Sequence, residues 1–362
     1  MPLPDYALCV GINRYPGLTP LQGAEADAQA FYDWVTSTGG VSQANAKLIL
    51  SAQFSAGAQV ANAKPASQEI WDFFETLRAA ATANNANTTF GLTAGRRLYL
   101  FFSGHGFSPT VDASGVLMAN AERDTPHNLS PKAWADRFYE NGLLEEILLF
   151  QDACREQVSD VDVTPPYFKK SVMPGWRNRK RFYAFAAKSP LLAIEKPIAG
   201  IVRGVFSATL MAGLKGAARH PVTGEITETQ LKSYLMANMS ALMSSVELAN
   251  DDYSQRPEVL DLDPFVIVPA ASAAAAGATS FALPTSPATF PVRVAMSGSG
   301  AGAKIFDGAR NLVGTSPSGV TEWNLELPLG FFELAVPGQD GKLFKVSGAH
   351  DSTGQPEVVH VG

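Results

Sequence analysis

"RRLYLFFSGHGF", residues 96–107, is a run of bulky apolar side chains that stops at a serine and then holds one histidine between two glycines. A nearly continuous apolar run of this kind is the pattern of a strand buried on both faces, as in a parallel sheet covered by helices. In open parallel sheets the chemistry gathers beyond the carboxyl ends of the strands. His105 stands at such an end. Gly104 and Gly106, with no β-carbon, let the chain turn sharply there and leave the imidazole on the cleft side.

The same pattern repeats on both sides of this run. "YALCVGI" (6–12), "AKLILS" (46–51), "EILLFQDAC" (146–154) and "KRFYAFAAK" (180–188) read as further strands. Helices are predicted between them. "EADAQAFYDWVTSTGG" (25–40) places Ala30, Phe31, Trp34 and Val35 on one face and ends in Gly39-Gly40. A second helix has Pro65 in its first turn and Ile70, Phe73, Phe74 and Leu77 at helical spacing. "SPKAWADRFYENG" (130–142), "GVFSATLMAGLKGAA" (204–218, with a glycine stop) and "ETQLKSYLMANMSALMSSV" (228–246) complete the set. The alternation predicts an α/β domain with a mostly parallel central sheet over residues 1–268. Residues 269–288, rich in alanine and proline, have the composition of a linker. Residues 289–362 change to short strands with turn residues between them, and predict a small all-β sandwich without a catalytic constellation.

Composition narrows the function. Of 362 residues, 28 are basic and 34 acidic, a net charge of -6, so no overall basic field exists to hold nucleic acid or an anionic membrane. Two cysteines cannot make a disulfide framework and suit a reducing cytoplasm. The opening "MPLPDYALCVGI" lacks the positive charge of a secretory leader, and "VIVPAASAAAAGATSFALP" is too weakly apolar and too broken by proline to span a bilayer. A soluble, cytoplasmic monomer is the expectation.

His105 follows the third strand and Cys154 the fourth, so adjacent parallel strands would bring a thiol and an imidazole to one edge. Such a base can take the thiol proton and return it to a leaving amine. The N–H groups of Gly106 and Cys154 are candidate oxyanion donors. By itself a cysteine at a strand end is most often a small buried apolar group; the glycine-clasped histidine, the paired strand ends and the acid and arginine flanking Cys154 argue otherwise. Cys9, between Leu8 and Val10, is expected in the core, and His127, His220, His350 and His360 have no comparable setting.

"LFFSGHG" and "LLFQDACRE" resemble the histidine and cysteine motifs of the caspase-like cysteine peptidases (clan CD, family C14), in which the histidine precedes the cysteine by about fifty residues. "ALCVGINRYPGLTPLQGAEADAQAF" is similar to the first strand and helix of metacaspases and bacterial caspase homologues of the orthocaspase type, and "YAFAAKSPLLAIEKPIAGIVRGVFSATLMAGLKG" to their later strand and helix. The likeness extends over about residues 5–265. It implies a three-layer caspase-hemoglobinase fold, Cys154 as nucleophile, His105 as general acid and base, peptide-bond hydrolysis without a cofactor or metal, and an association with bacterial defence or cell death.

The resemblance also bears on specificity. Caspases carry glutamine two residues before the cysteine; here that residue is Asp152, as in metacaspases, and Leu21, Gly23 and Asp27 match the metacaspase "LxGxxxD" pattern. Two carboxylates at a pocket base favour a cation, hence Arg or Lys before the cleaved bond. Ser103 matches a third pocket position. The alternative for Asp27 is a residue that only caps or decorates its helix. The dense acidic run of calcium-dependent metacaspases is missing; Asp160 and Asp162 are the candidate oxygen ligands, and two loop acids are usually only solvated. The basic segment "PPYFKKSVMPGWRNRKRFYAF" (165–185) is either a solvated surface or, as the resemblance implies, a loop cut during activation, by the enzyme itself or by an activating protease, after Lys169, Lys170, Arg177, Arg179, Lys180 or Arg181. The expected partners are a protein or peptide substrate and such an activator or regulator. The competing function is a catalytically silent caspase-fold module that binds basic peptides.

Overall fold

A computed structural model of the chain describes residues 3–55, 59–85, 93–170, 178–244, 247–248, 257–261, 264–270, 289–296, 302–307, 312–317, 320–328, 330–337, 342–346 and 357–361. The chain falls into two compact units, Met1–Met239 with Asp252–Phe281, and Ser240–Asp251 with Ala282–Gly362.

In the first unit, β1 (Tyr6–Gly11), β2 (Ala46–Leu50), β3 (Gly95–Ser103), β7 (Leu144–Asp152), β8 (Lys180–Phe185) and β12 (Glu258–Asp261) form one sheet in the order β12-β8-β7-β3-β1-β2. All neighbours are parallel except β12, which runs antiparallel to β8 at the edge. Among the described residues it is accompanied by the helices α1 (Ala24–Ser37), α2 (Ser67–Asn85), α3 (Pro131–Glu140), α4 (Val205–Ala212) and α5 (Glu228–Asn238). The two-residue period of β3 explains its unbroken hydrophobicity. Leu98, Leu100 and Phe102 enter a core with Phe74 of α2 and Trp134 and Phe138 of α3. Tyr99 and Phe101 point the other way; the Phe31 ring of α1 stacks on Phe101, with centroids 4.8 Å apart, and α1 lies against α4. β3 is therefore covered on both faces. Cys9 is fully buried beside Phe101 in the register, as a core position requires.

Smaller elements decorate this frame: β4 (Gly106–Phe107), β5 (Gly115–Leu117) and β6 (Asn128–Leu129) form a three-stranded sheet, β9 (Glu195–Ile198) and β10 (Ile201–Gly204) a hairpin, and β11 (Ile226–Thr227) pairs with β13 (Val266–Val268). The second unit has two sheets. One is β17 (Glu322–Pro328), β14 (Thr289–Met296) and β20 (Glu357–Val361); the other is β16 (Leu312–Thr315), β15 (Lys304–Asp307), β18 (Gly330–Ala335) and β19 (Lys342–Val346). Val292, Val294, Ile305, Leu327 and Leu334 are buried in its core.

Three local expectations are corrected. Pro65 does not open α2; it lies two residues ahead of Ser67 in a cis peptide bond, and Glu69 Oε2 accepts the Ala66 N–H at the helix start. The helix expected over 228–246 is α-helical only to Asn238, and a 3-10 turn follows over Met239–Leu242. The helix expected over 204–218 widens after Ala212 into a π-turn over Gly213–Ala217, kinked at Gly216, whose φ of 132° only glycine tolerates. Residues 271–288 of the expected linker lie outside the described residues.

Candidate active site

The strand ends align. Gly11 of β1, Ser103 of β3 and Asp152 of β7 face one another in the register. The alignment continues past the sheet: the Gly104 N–H donates to the Asp152 carbonyl (3.2 Å) and the Ser108 N–H to the Glu156 carbonyl (2.8 Å). His105 and Cys154 each lie two residues beyond a matched pair. They leave neighbouring strands at the same level, and such strands lie about 4.8 Å apart. The two glycines have separate reasons. A β-carbon on Gly104 would stand 2.5 Å from Tyr15 Oη; one on Gly106 would stand 2.7 Å from both Ala153 Cβ and the Cys154 carbonyl oxygen. Gly106 thus passes the backbone of Cys154 at a distance only glycine permits.

The imidazole is fixed from the segment that follows β1. His105 Nε2 lies 2.7 Å from the Thr19 carbonyl oxygen. A carbonyl only accepts, so Nε2 carries the hydrogen and Nδ1 of the neutral ring keeps its lone pair. Tyr15 Oη accepts the His105 backbone N–H (3.0 Å) and donates to the Leu117 carbonyl (3.3 Å), and its ring lies 4.7 Å from the imidazole centroid. Burial pushes the Tyr15 hydroxyl well above its ordinary range, so it remains a donor.

Cys154 is half-buried. Its Sγ donates toward the Ala193 carbonyl (3.7 Å) and accepts the Ala193 N–H (3.4 Å). Burial pushes the thiol up, the Ala193 N–H opposes the rise, and the charges of Asp152 and Glu156 add to it. The thiol is therefore protonated at neutral pH and needs a base. The guanidinium of Arg155 is buried, bonded to Ser108 Oγ (3.2 Å), the Val111 carbonyl (2.6 Å) and Glu258 Oε2 of β12 (2.5 Å), and laid over the Phe185 ring. It anchors the turn that carries Cys154.

Asp27 and Asp152 are both buried and converge on Gly204. Asp27 does not cap α1: its Oδ2 accepts the Gly204 N–H (2.8 Å), and its Oδ1 accepts from Arg203 Nε. Asp152 Oδ2 accepts the N–H and hydroxyl of Ser207 at 3.0 and 2.5 Å. Burial pushes the Asp27 carboxyl up, the nearby Asp152 charge adds to the rise, and Arg203 opposes it. Burial also raises Asp152, against the Ser207 hydrogen bonds and Arg203, with Glu195 adding to the rise. The two acids share one buried site and face the Arg203 guanidinium. Ser103 is buried beside Asp152 in the register.

The other expected residues separate. Lys169 and Lys170 are exposed, with Lys170 Nζ 2.5 Å from Glu140 Oε1. Arg177 lies outside the described residues. Arg179 donates to the Leu144 carbonyl (2.8 Å), and Lys180 and Arg181 are not in a loop at all: they pair with Glu146 and Ile147 inside β8, and Arg181 also holds Asp136. Asp160 and Asp162 are exposed, and no group of three or more His, Cys, Asp or Glu converges among the described residues.

Comparison with known proteins agrees with this architecture. The family model described as the caspase domain (Peptidase_C14) matches residues 4–265. A protein of a Desulfuromonadales bacterium, named a probable protease, is 29% identical over 231 residues, 59% of this chain and 26% of that protein, so the match spans about a quarter of the relative's length. Among solved structures, caspase-1 from Spodoptera frugiperda aligns with a TM-score of 0.46 at 14% identity, over 74% of this chain and 91% of that one; the structure of pro-sf-caspase-1 aligns with a TM-score of 0.40 at 14% identity, over 73% and 90%. With the family model spanning the whole sheet and both strand ends that carry His105 and Cys154, the chain belongs to the caspase-domain family, the C14 cysteine peptidases.

Proposed function

We propose that the protein is a cysteine endopeptidase that cuts after Arg or Lys, with Cys154 as nucleophile and His105 as general base and acid. The observation that carries the reading is the convergence of Asp27 and Asp152 on Gly204, at the carboxyl end of β7 and two residues before Cys154. A thiol pushed up by burial is inert until its proton is taken, and His105, with hydrogen on Nε2, offers Nδ1 for it. Sγ then attacks the scissile carbonyl carbon, and the N–H groups of Gly106 and Cys154 hold the oxyanion. Nδ1–H protonates the departing amine, and water releases the acyl group from sulfur.

Ser103 lies beside the carboxylates as a pocket wall. Activation by cleavage, where it occurs, falls after Lys169, Lys170 or Arg177, because Lys180 and Arg181 would have to be stripped from the sheet to reach any active site. The test compares short peptide amides with arginine, lysine, citrulline or aspartate before the bond. Citrulline keeps the shape of arginine without its charge. Cleavage after arginine and lysine only, abolished in Cys154→Ala, is the expected result. Preferred cleavage after aspartate refutes the specificity, and binding of arginyl peptides with no turnover by wild type identifies a silent recognition module.

A further inference from the structure

The pocket proposed for a basic side chain already contains one. Arg203, from β10, donates through Nε to Asp27 Oδ1, and the next residue donates its backbone N–H to Asp27 Oδ2. The fit is incomplete: the second terminal nitrogen of the same guanidinium is buried without a hydrogen-bond partner. A fork with five donors that satisfies one carboxylate through a single side-chain bond leaves donor capacity unused in a site where unmet polar groups are costly. Arg203 is held in the pocket less well than an arginine able to address both acids.

The same stretch of chain lies on the nucleophile. The Arg155 N–H donates to the Leu191 carbonyl (3.1 Å), and two residues later Ala193 engages Cys154 Sγ through both its N–H and its carbonyl. Glu195 then pins the β9–β10 hairpin to the start of α1, where its carboxylate accepts the N–H groups of Gln22 (3.1 Å) and Gly23 (2.8 Å). Among the described residues the hairpin pairs with no other strand, and Ile201 beside its turn is 59% exposed. Ala199 in that turn takes a φ of 51°, unusual for a residue with a side chain.

We infer that residues 191–203 are a self-occluding strap: Ala193 covers the thiol while Arg203 occupies the acidic pocket in place of the substrate's basic side chain, so substrate binds by displacing Arg203. This rests on the pocket reading proposed above. Arg203 then acts on specificity, because only a side chain that serves Asp27 and Asp152 better than Arg203 does will open the site.

The test uses the full chain and Arg203→Met, which keeps the length of the stem and removes the charge, with Arg203→Lys as the conservative control. Labelling of Cys154 by iodoacetamide, followed by peptide mass spectrometry, is expected to be at least tenfold faster in Arg203→Met than in wild type and near wild type in Arg203→Lys. Cys9, buried in the sheet, stays unlabelled if the fold is intact. For an arginyl aminocoumarin amide, KM should fall at least tenfold in Arg203→Met with kcat little changed. Should Arg203→Met fail to fold, Glu195→Gln unpins the hairpin and is read by the same labelling rate. Unchanged labelling in folded variants overturns the strap, and if wild type cuts arginyl peptides the proposed function survives. Faster labelling without arginyl cleavage by any variant upholds only the cover over the thiol and overturns both the pocket and the role of Arg203 as a stand-in for substrate.

Discussion

Gly204→Ala should damage the pocket and leave the backbone path untouched. Gly204 has φ -65° and ψ 136°, which alanine adopts freely, so the whole effect is steric. Its new β-carbon would overlap Asp152 Oδ2 and stand 2.8 Å from Asp152 Cγ and 3.1 Å from Asp27 Oδ2. Relief requires the Asp152 carboxylate to move by about an ångström, which breaks its two hydrogen bonds from Ser207. At the lower end for bonds to a charged group, about 1.5 kcal/mol each, the loss is about 3 kcal/mol. Replacing glycine restrains the unfolded chain and returns about 0.4–1 kcal/mol. A net local destabilisation of about 2 kcal/mol follows, equivalent to a roughly thirtyfold drop in protection at 1.36 kcal/mol per decade. The assay is native-state hydrogen exchange at the Ser207 amide, which donates to Asp152. Gly200→Ala is the control. It has no neighbour within 4 Å but a φ of +84°, so it should cost about 1–2 kcal/mol of backbone strain and leave Ser207 protection alone. Wild-type protection of Ser207 in Gly204→Ala would refute the close approach of Gly204 to the two acids.

Cys154→Ala and His105→Ala should each abolish peptide hydrolysis with unfolding midpoints near wild type, while Cys9→Ala keeps activity but loses stability through its buried position; activity of Cys154→Ala at wild-type rate would refute the nucleophile. Tyr15→Phe removes the acceptor of the His105 N–H and should lower kcat more than it raises KM; an effect on KM alone would refute a positioning role. Asp27 is pushed up to about 7 and Asp152 to about 6, with Arg203 and Glu195 the other charged groups around them, so both are ionised only above those values. Preference for arginine over citrulline should therefore be greatest near pH 8 and weaken as pH falls through 7 to 6. A ratio that is flat over this range would show that the acids do not read the charge.

Much of the sheet was legible because buried parallel strands carry their signal within the strand: nothing outside "RRLYLFFS" is needed to see that both its faces are covered. His105 and Cys154 were legible for the same reason, since each ends such a run. The residues that hold them were not. Tyr15 and Thr19 reach His105 across 90 and 86 positions, Arg203 reaches Asp27 across 176, and Ser207 reaches Asp152 across 55. No local pattern encodes such pairings; they follow from which strand ends become neighbours. The partners of Arg155 were illegible for a related cause, because its place beside the thiol in the chain says nothing about where a long side chain finds its acid. The hairpin β9–β10 was only weakly marked: "EKPI" carries a proline within a strand, and of the two positive-φ positions in its turn only Gly200 is a glycine, while Ala199 stands where glycine or asparagine is usual.

The Arg155 anchor has a consequence for the newborn chain. Its acid, Glu258, belongs to the last strand to join the sheet and lies 103 residues downstream of the arginine it holds. A ribosome that has made His105 and Cys154 has therefore not yet made the acid that completes the Arg155 anchor. Until β12 emerges and pairs with β8, the guanidinium lacks its carboxylate and has only Ser108 and Val111 to hold it. A truncated or stalled chain would carry both His105 and Cys154 with the turn after Cys154 short of one of its three anchors.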